Sequence, residues 1–143
     1  MPQLSRARVR RPQVHVALAV IERRGRVLIA RRPAGTHLGG YWEFPGGKRN
    51  PGEAWTACVR RELDEELGLA GGVRPVRLMS FSHRYPGREI FFVAFHVPMA
   101  PGRRLPRAHR CMRWVSVPAL GRYRFPPANG RLIQHLINQC VMS

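Results

Sequence analysis

The stretch GKRNPGEAWTACVRRELDEELGL, from Gly47 to Leu69, contains five of the eight carboxylates in a chain of 143 residues. The chain as a whole is strongly basic, with 25 lysines and arginines and a formal net charge of +17. Carboxylates crowded onto one short segment repel one another unless a cation lies among them. The stretch therefore predicts a site for a divalent metal ion.

The residues around these acids predict a helix of about four turns with two separate faces. A turn at residues 50–52 precedes the helix, Glu53 is expected in its first turn, and Gly68 ends it. Glutamates at i, i+3 and i+4 share one face, and apolar residues at i and i+4 form a face that we expect to be buried. The first face carries Glu62, Glu65 and Glu66, and the second carries Val59, Leu63 and Leu67.

Three carboxylates on one helix face indicate a hard cation. Carboxylate oxygens suit Mg²⁺ or Mn²⁺, and proteins usually hold Mg²⁺ with a few carboxylates together with waters and substrate phosphates. We therefore expect Mg²⁺, with Mn²⁺ as the alternative, and chemistry on a phosphate chain.

The spacing of this segment resembles the Nudix box at every defined position. It reads Gly47, five residues, Glu53, seven residues, Arg61-Glu62-Leu63, one residue, Glu65-Glu66, one residue and Gly68-Leu69. The stretches YWEFPGGKRNPGE (Tyr41–Glu53) and FPPAN (Phe125–Asn129) are similar to the MutT-type branch, which hydrolyses oxidised nucleoside triphosphates. The resemblance implies an α/β (α+β) fold, an α/β/α sandwich with a mixed β-sheet between helices.

For the acids, the resemblance implies metal-assisted attack of water on phosphorus, which releases a nucleoside monophosphate and pyrophosphate. Glu62 and Glu66 match metal ligands of the family, and Glu65 matches the remaining acid at the metal cluster. The Gly46 carbonyl occupies the position of a backbone ligand. The three glutamates are therefore also the candidate catalytic residues.

The remaining defined positions of the box are expected to be structural. An arginine that faced the metal would weaken the site, so we expect Arg61 to pair with Glu53 and hold the loop against the helix. Gly47 and Gly68 complete the box, one in the loop and one at the helix end.

Three residues outside the acidic face are candidate substrate contacts. Lys48, the only lysine in the chain, can reach a phosphate oxygen from the glycine turn that precedes it. By the resemblance, Arg32 matches a substrate-contacting arginine, and Asn129 matches the residue that reads the purine edge in 8-oxo-guanine-specific relatives. The structural alternatives are a solvated surface position for Arg32 and an N-cap of the last helix for Asn129.

Asn129 decides the expected base. An amide offers a donor and an acceptor, which fits O6 and the protonated N7 of 8-oxo-guanine. Relatives that favour oxidised or methylated cytosine nucleotides tend to carry Asp at this site. We therefore expect hydrolysis of 8-oxo-dGTP to 8-oxo-dGMP, which sanitises the nucleotide pool and supports DNA repair, with oxidised or methylated (d)CTP as the alternative. Phe44, Phe81 and Tyr85 are candidates for base stacking, with a place in the core as the alternative.

One position departs from the family pattern. MutT-type enzymes usually carry a further glutamate six residues before the tryptophan that is Trp114 here, and this chain has Ala108, followed by His109. That glutamate is a metal ligand or base in the family, so Glu89 and His109 are the candidates to replace it. We expect the three helix glutamates to suffice for weak to moderate activity.

The basic charge suggests a second class of function, a non-catalytic module that binds nucleic acid. The segment SFSHR, from Ser80 to Arg84, resembles the loop by which the Nudix-like domain of adenine glycosylases checks an oxidised guanine. The intact box argues against this alternative, because a binding module has no need of three ligands on one helix face. Nucleic acid is thus a partner that the sequence allows and does not require.

The rest of the chain predicts a simple organisation. Residues 1–13 are expected to form a basic flexible tail, for which a mitochondrial-type leader is the alternative, and residues 14–143 a single Nudix domain. No apolar stretch reaches the roughly 18 residues that a membrane span needs. Three cysteines without metal-ligand spacing are typical of a reducing compartment, so we expect a cytoplasmic protein. Its oligomeric state is expected to be a monomer or a homodimer.

Hydrophobic patterns predict six strands and a second helix. The strands are expected at Val14–Ile21, Val27–Arg31, Tyr41–Phe44, Val76–Arg84, Ile90–Val97 and Cys111–Val115, and the helix at Gly130–Met142. The segment Pro45-Gly46-Gly47 is expected to be a turn.

Overall fold

The structure is a computed structural model that describes residues 13–69, 71–100, 102–107 and 111–142. Its strands are β1 (Gln13–Arg23), β2 (Arg26–Arg31), β3 (Trp42–Glu43), β4 (Gly46–Lys48), β5 (Val76–Tyr85), β6 (Arg88–Pro98) and β7 (Met112–Ser116). Its helices are α1 (Trp55–Leu67) and α2 (Gly130–Met142), with 3₁₀ turns at Val117–Arg122 and Pro127–Asn129. All six predicted strands are present. The turn expected at Pro45-Gly46-Gly47 is wrong, because its glycines belong to β4, which pairs with β1.

The strands form one mixed sheet in the described part of the chain. The order is β3-β2-β1-β6-β5, with β4 paired to β1 and β7 paired to β2. β1 and β6 run parallel from the Gln13–Glu89 pair to the Glu22–Pro98 pair, whereas the other strand pairs are antiparallel. A central parallel pair is covered on both faces, which explains the unbroken buried run of β1 from Ala17 to Ile21.

The two faces of the sheet carry separate apolar cores. Successive side chains of a strand point to opposite faces. β1 therefore sends Ala17 and Ala19 to the cluster that contains the buried residues of α1. It sends Leu18 and Val20 to the cluster that contains Leu132 of α2. This arrangement confirms the expected α/β/α sandwich with a mixed sheet.

Two predictions concern residues that lie mostly outside the described ranges. The predicted tail, residues 1–13, lies outside the described residues except for Gln13, which is the first residue of β1. Ala108 and His109 also lie outside them. Across the described ranges, no helix combines the length and the apolar character that crossing a membrane would require.

Candidate active site

α1 is anchored by one apolar face and ended by a glycine. Val59, Leu63 and Leu67 are fully buried, as predicted, and burial of each such side chain contributes about 1.5–3 kcal/mol. Gly68 adopts a left-handed conformation with φ 73°, and its N–H donates to the Asp64 carbonyl at 2.9 Å. The glutamates therefore occupy the part of the helix surface that is left over from packing.

The predicted pairing of Glu53 with Arg61 is present and bidentate. Arg61 donates from Nε to Glu53 Oε2 (2.8 Å) and from Nη2 to Glu53 Oε1 (3.0 Å), and also to the Lys48 carbonyl (2.9 Å). The Arg61 bonds, with a further bond from the Asn50 N–H, lower the pKa of Glu53 to about 2. The expectation that Glu53 lies in the first helical turn is wrong, because α1 begins only at Trp55.

Arg61 also contacts two of the predicted metal-site acids. Its Nη1 donates to Glu62 Oε1 (3.1 Å) and to Glu65 Oε1 (3.3 Å). Within the described ranges, no three acidic, histidine or cysteine side chains converge with the spacing of metal ligands. Glu62 and Glu65 turn to the Arg61 guanidinium, while Glu66 has another partner. The shared helix face was predicted, and the pairing of two of its acids with Arg61 was not.

Glu66 is bonded to β4 rather than to Arg61. Its Oε1 accepts a hydrogen bond from the Gly46 N–H at 2.9 Å, so two residues predicted to belong to one site do meet. Although the residue keeps an exposed surface, loss of hydration around the carboxyl raises its pKa to about 7, and the charges of Glu62 and Glu43 add to the rise. A carboxylate that is costly to ionise here would be stabilised by a divalent cation.

The glycines of β4 allow the close approach that such a cation needs. A Cβ on Gly47 would overlap the Glu62 carboxylate, and a Cβ on Gly46, whose φ is 150°, would overlap the Ala17 carbonyl oxygen. β4 is thus packed closely against both α1 and β1. The carboxylate and carbonyl oxygens at this junction form a donor set that fits Mg²⁺.

Replacing Gly47 by alanine is expected to weaken binding of Mg²⁺ by about 10–100-fold, because the new methyl group displaces the Glu62 carboxylate. The measurement is the Mg²⁺ dependence of the melting temperature. Gly121→Ala is the matched control, since a Cβ there meets no neighbouring atom. An unchanged Mg²⁺ dependence in the Gly47 variant would contradict the prediction.

A cleft of about 260 Å³ beside β4 brings the predicted substrate residues together. Arg32, Lys48 and Asn129 all line it, and so do Gly46 and Gly47. The sequence singled out each of these residues separately. The structure adds that they share one cleft, next to the loop that leads into the acidic helix.

Arg32 is held at this cleft by two partners. Its Nη1 pairs with Glu43 Oε1 at 3.1 Å, and its Nε donates to the His37 carbonyl at 2.8 Å. Arg32 is therefore a fixed side chain and not a freely solvated one. Glu43 also lines a second cleft of about 220 Å³ whose wall includes Glu66. Glu43 was not predicted, because its place depends on the pairing of β2 with β3.

Asn129 is almost completely buried, with 6% of its surface exposed. It directly precedes α2, which begins at Gly130. Its side-chain amide nevertheless makes no hydrogen bond with any described residue, so the capping alternative finds no support. An unbonded amide that keeps solvent access in a cleft wall is available to a ligand.

The candidate stacking residues divide between core and cleft. Phe81 is buried and stacks on Phe92 at 4.9 Å, so it belongs to the core. Phe44, which is buried in the same core cluster, also lines the cleft, and so does Tyr85. Arg88, which was not predicted, lines it too, with its guanidinium 5.7 Å from the Tyr85 ring centre. Tyr85 and Arg88 face each other across the β5–β6 turn, a relation that becomes visible only once the hairpin is formed.

Glu89 does not replace the glutamate that the family carries near Ala108. Its carboxylate accepts a bond from Gln13 at 3.4 Å and lies 3.9 Å from Arg84, and the residue lines neither cleft. The structure therefore gives no support to the suggestion that Glu89 substitutes, because the hairpin directs it to the start of β1. His109, the other candidate, lies outside the described residues.

Comparison with known proteins identifies the family. The family model for the NUDIX domain matches residues 16–135. The chain is 36% identical over 121 residues to the CTP pyrophosphohydrolase of Escherichia coli K12, which covers 85% of this chain and 89% of that protein. It is 32% identical over 127 residues to the 8-oxo-dGTP diphosphatase of Haemophilus influenzae, which covers 88% and 93%.

Solved structures share the same architecture. The solution structure of the E. coli ORF135 protein has 35% sequence identity and a TM-score of 0.72, and covers 87% of this chain and 88% of that one. The crystal structure of a MutT protein from Methanosarcina mazei Go1 shows the same fold, with a TM-score of 0.74 at 24% identity over 90% and 96% of the two chains. Nudix hydrolases generally use a divalent metal, which agrees with the oxygen donors of α1. The chain belongs to the Nudix family and is a MutT-type Nudix hydrolase.

Proposed function

We propose that this enzyme is a nucleoside triphosphate pyrophosphohydrolase that converts 8-oxo-dGTP to 8-oxo-dGMP and pyrophosphate, and so clears oxidised guanine from the cytoplasmic nucleotide pool. The observation that carries the proposal is the unbonded amide of Asn129, a largely buried residue in the same cleft as Lys48 and Arg32. That cleft combines a group suited to a base edge with two cations suited to phosphates.

The Asn129 amide distinguishes oxidised guanine through its two functions. The amide N–H donates to O6, and the amide oxygen accepts from the protonated N7 of 8-oxo-guanine. Ordinary guanine has an acceptor at N7, so one bond is absent and two lone pairs face each other. Phe44, which stacks against Phe125 at 5.2 Å, supplies an apolar part of the wall of the same cleft.

The acidic helix and β4 would serve the phosphate chain. Glu62, Glu65 and Glu66 would hold Mg²⁺, or Mn²⁺ in its place, with the Gly46 carbonyl as a backbone ligand. When bound, the ion neutralises phosphate charge and lowers the pKa of the attacking water. Lys48 adds a flexible positive charge at the cleft, suited to a phosphate oxygen.

A cytosine nucleotide is the second candidate, and the similarity to the E. coli CTP pyrophosphohydrolase favours it. The 36% identity to that protein and the 32% identity to the H. influenzae 8-oxo-dGTP diphosphatase differ too little to separate the two substrates. The choice therefore depends on base recognition in the cleft, which is open to direct measurement.

A substrate panel tests the proposal. Pyrophosphate release is measured with Mg²⁺ from 8-oxo-dGTP, 8-oxo-GTP, 5-methyl-dCTP, CTP and dGTP, and we expect the highest kcat/KM for 8-oxo-dGTP. A higher value for CTP or 5-methyl-dCTP would establish the second candidate instead. Absence of pyrophosphate from every nucleotide would overturn both.

Replacing Asn129 by alanine is expected to reduce the preference for 8-oxo-dGTP over dGTP by about 5–150-fold, the equivalent of the 1–3 kcal/mol that one bidentate base contact contributes. Asn129→Asp is the matched variant, because it keeps the size of the side chain and removes the N–H donor. The ratio of kcat/KM values for the two nucleotides is the measurement, with the melting temperature as a check on folding. A folded alanine variant with the wild-type preference would show that Asn129 does not read the base.

A further inference from the structure

The last 54 residues of the chain carry positive charge that no acid of the same segment offsets. From Ile90 to Ser143 the sequence contains eight arginines and no aspartate or glutamate. Positive charge without acids nearby creates a potential that attracts polyanions. Two of these arginines, Arg113 and Arg124, are exposed and lie on aromatic rings.

Arg113 lies against two rings. Its guanidinium carbon is 5.3 Å from the ring centre of Trp42 and 5.8 Å from that of Tyr123. The two rings meet edge to face at 5.3 Å, and Arg113 also donates to the Tyr123 hydroxyl at 3.4 Å. A stacked guanidinium loses rotamer freedom while most of its N–H groups stay available to oxygen acceptors.

Arg124, which follows Tyr123 in the chain, repeats this arrangement. Its guanidinium carbon is 4.4 Å from the ring centre of Tyr41. The Arg124 carbonyl accepts from the Trp42 N–H at 2.8 Å, which ties the two segments together. Neither Arg113 nor Arg124 forms an ion pair with an acid among the described residues. Two positioned cations are therefore left for an external anion.

We propose that these five residues, Tyr41, Trp42, Arg113, Tyr123 and Arg124, form an arginine–aromatic edge that binds the phosphodiester backbone of a single-stranded nucleic acid. Guanidinium groups bind phosphate oxygens bidentately. The partly exposed rings beside them offer faces and edges to unpaired bases without sequence preference. A duplex groove accepts a helix or a two-stranded ribbon, whereas this edge consists of loop residues and strand ends, which favours a single strand.

The arginine–aromatic edge is separate from the nucleotide site. None of its five residues lines the cleft that contains Asn129, although Trp42 is followed along the chain by Glu43 and Phe44, which do. Binding at this edge therefore requires no residue that lines the cleft. The two activities are also open to independent measurement.

Fluorescence anisotropy with a fluorescein-labelled oligo(dT) of twenty nucleotides tests the proposal on the full chain. For Arg113→Gln/Arg124→Gln we expect affinity about tenfold lower at 0.1 M salt. The slope of log affinity against log salt should fall by about 1.4, which is about 0.7 for each single-strand phosphate that is no longer neutralised. Arg74→Gln/Arg77→Gln is the matched control, because it removes the same charge from exposed positions far from the edge. Arg77 lies in β5 and Arg74 just before it, and β5 and β3 are at opposite ends of the strand order.

A third variant distinguishes the effect of ring-positioned arginines from the effect of net charge alone. Tyr41→Leu leaves the net charge unchanged and removes the ring beneath Arg124, so we expect affinity to fall by about two- to fivefold. Equal losses of affinity in the two double variants, or an unchanged affinity in Tyr41→Leu, would overturn the positioned-edge proposal. Tighter binding of a labelled duplex than of oligo(dT) would overturn the single-strand assignment. Melting temperatures close to that of the wild type confirm that each variant is folded.

Discussion

Replacing Glu66 by glutamine is expected to lower kcat about a thousand-fold, because a neutral amide is a poor ligand for a divalent cation and about 4 kcal/mol of transition-state stabilisation corresponds to this factor. At pH values above 7, the same change is expected to cause a small rise in the melting temperature of the metal-free enzyme. The two effects have one cause. Glu66 is positioned where its ionised form is costly without a cation, with its pKa raised to about 7.

The stability effect has a definite pH dependence. The folded-state pKa of Glu66, about 7, lies above the ordinary value of 4.5, so folding favours the protonated carboxyl. Its contribution to stability is complete below 4.5 and is lost as the pH rises through 7. Glutamine is neutral throughout, so the melting temperature of the variant relative to the wild type should rise between pH 5 and pH 8. The rise stays small because the residue is exposed and solvent screens its charge.

Thermal denaturation in EDTA at pH 5 and pH 8, repeated with Mg²⁺ at pH 8, measures these effects. Mg²⁺ should stabilise the wild type more than the variant, since a ligand stabilises the state that binds it. Asp64→Asn is the matched control, because it removes an exposed carboxylate from the same helix without touching the site. A Glu66→Gln enzyme that keeps its turnover, or that responds to Mg²⁺ like the wild type, would remove Glu66 from the metal site.

Replacing Arg61 by alanine is expected to lower kcat/KM by about 10–100-fold, the usual effect of losing a side chain that orients metal ligands. Arg61 is bonded to Glu53, to the Lys48 carbonyl and to Glu62 and Glu65, so its loss frees the loop and two acids together. Steady-state kinetics with 8-oxo-dGTP is the measurement. Arg61→Lys keeps the charge without the planar fork and should be intermediate.

The Arg61 variant should also lose stability in a way that depends on pH. The pKa of Glu53, about 2, lies below the ordinary value of 4.5, so its contribution to stability is present above 4.5 and is lost as the pH falls towards 2. Without Arg61 most of this contribution is absent at neutral pH. Urea unfolding at pH 7 and pH 3 should therefore show a smaller pH effect in the variant. Arg60→Ala, at the exposed neighbouring position, is the control, and an equal effect there would contradict the role of Arg61.

The elements that the sequence predicted well are those whose information is local. The i, i+4 stripe identified Val59, Leu63 and Leu67 as the buried face of α1, and Gly68 marked its end. The alternation of apolar and turn residues located the long strands. Each of these features depends on side chains within a few positions of one another, so no knowledge of the sheet was needed.

The errors arose where distant segments compete for one residue. An acid at a helix start is stabilised by the helix dipole, but hydrogen bonds to an ionised group are the stronger interaction. Glu53 therefore stays outside α1, bonded to Arg61. Glu43 was not predicted as a site residue for a related reason. Only the pairing of β2 with β3 places it in the cleft that Glu66 also lines.

The parallel pairing of β1 with β6 has a consequence for folding during synthesis. The first pair, Gln13 with Glu89, joins residues 76 positions apart. The chain between them must therefore lose conformational entropy before the hydrogen bonds of the strand pair can stabilise the fold. On the ribosome, the whole of α1 is synthesised before β6. During that interval the apolar centre of β1 lacks the strand that will pair with it. Correct assembly therefore waits for the second half of the chain.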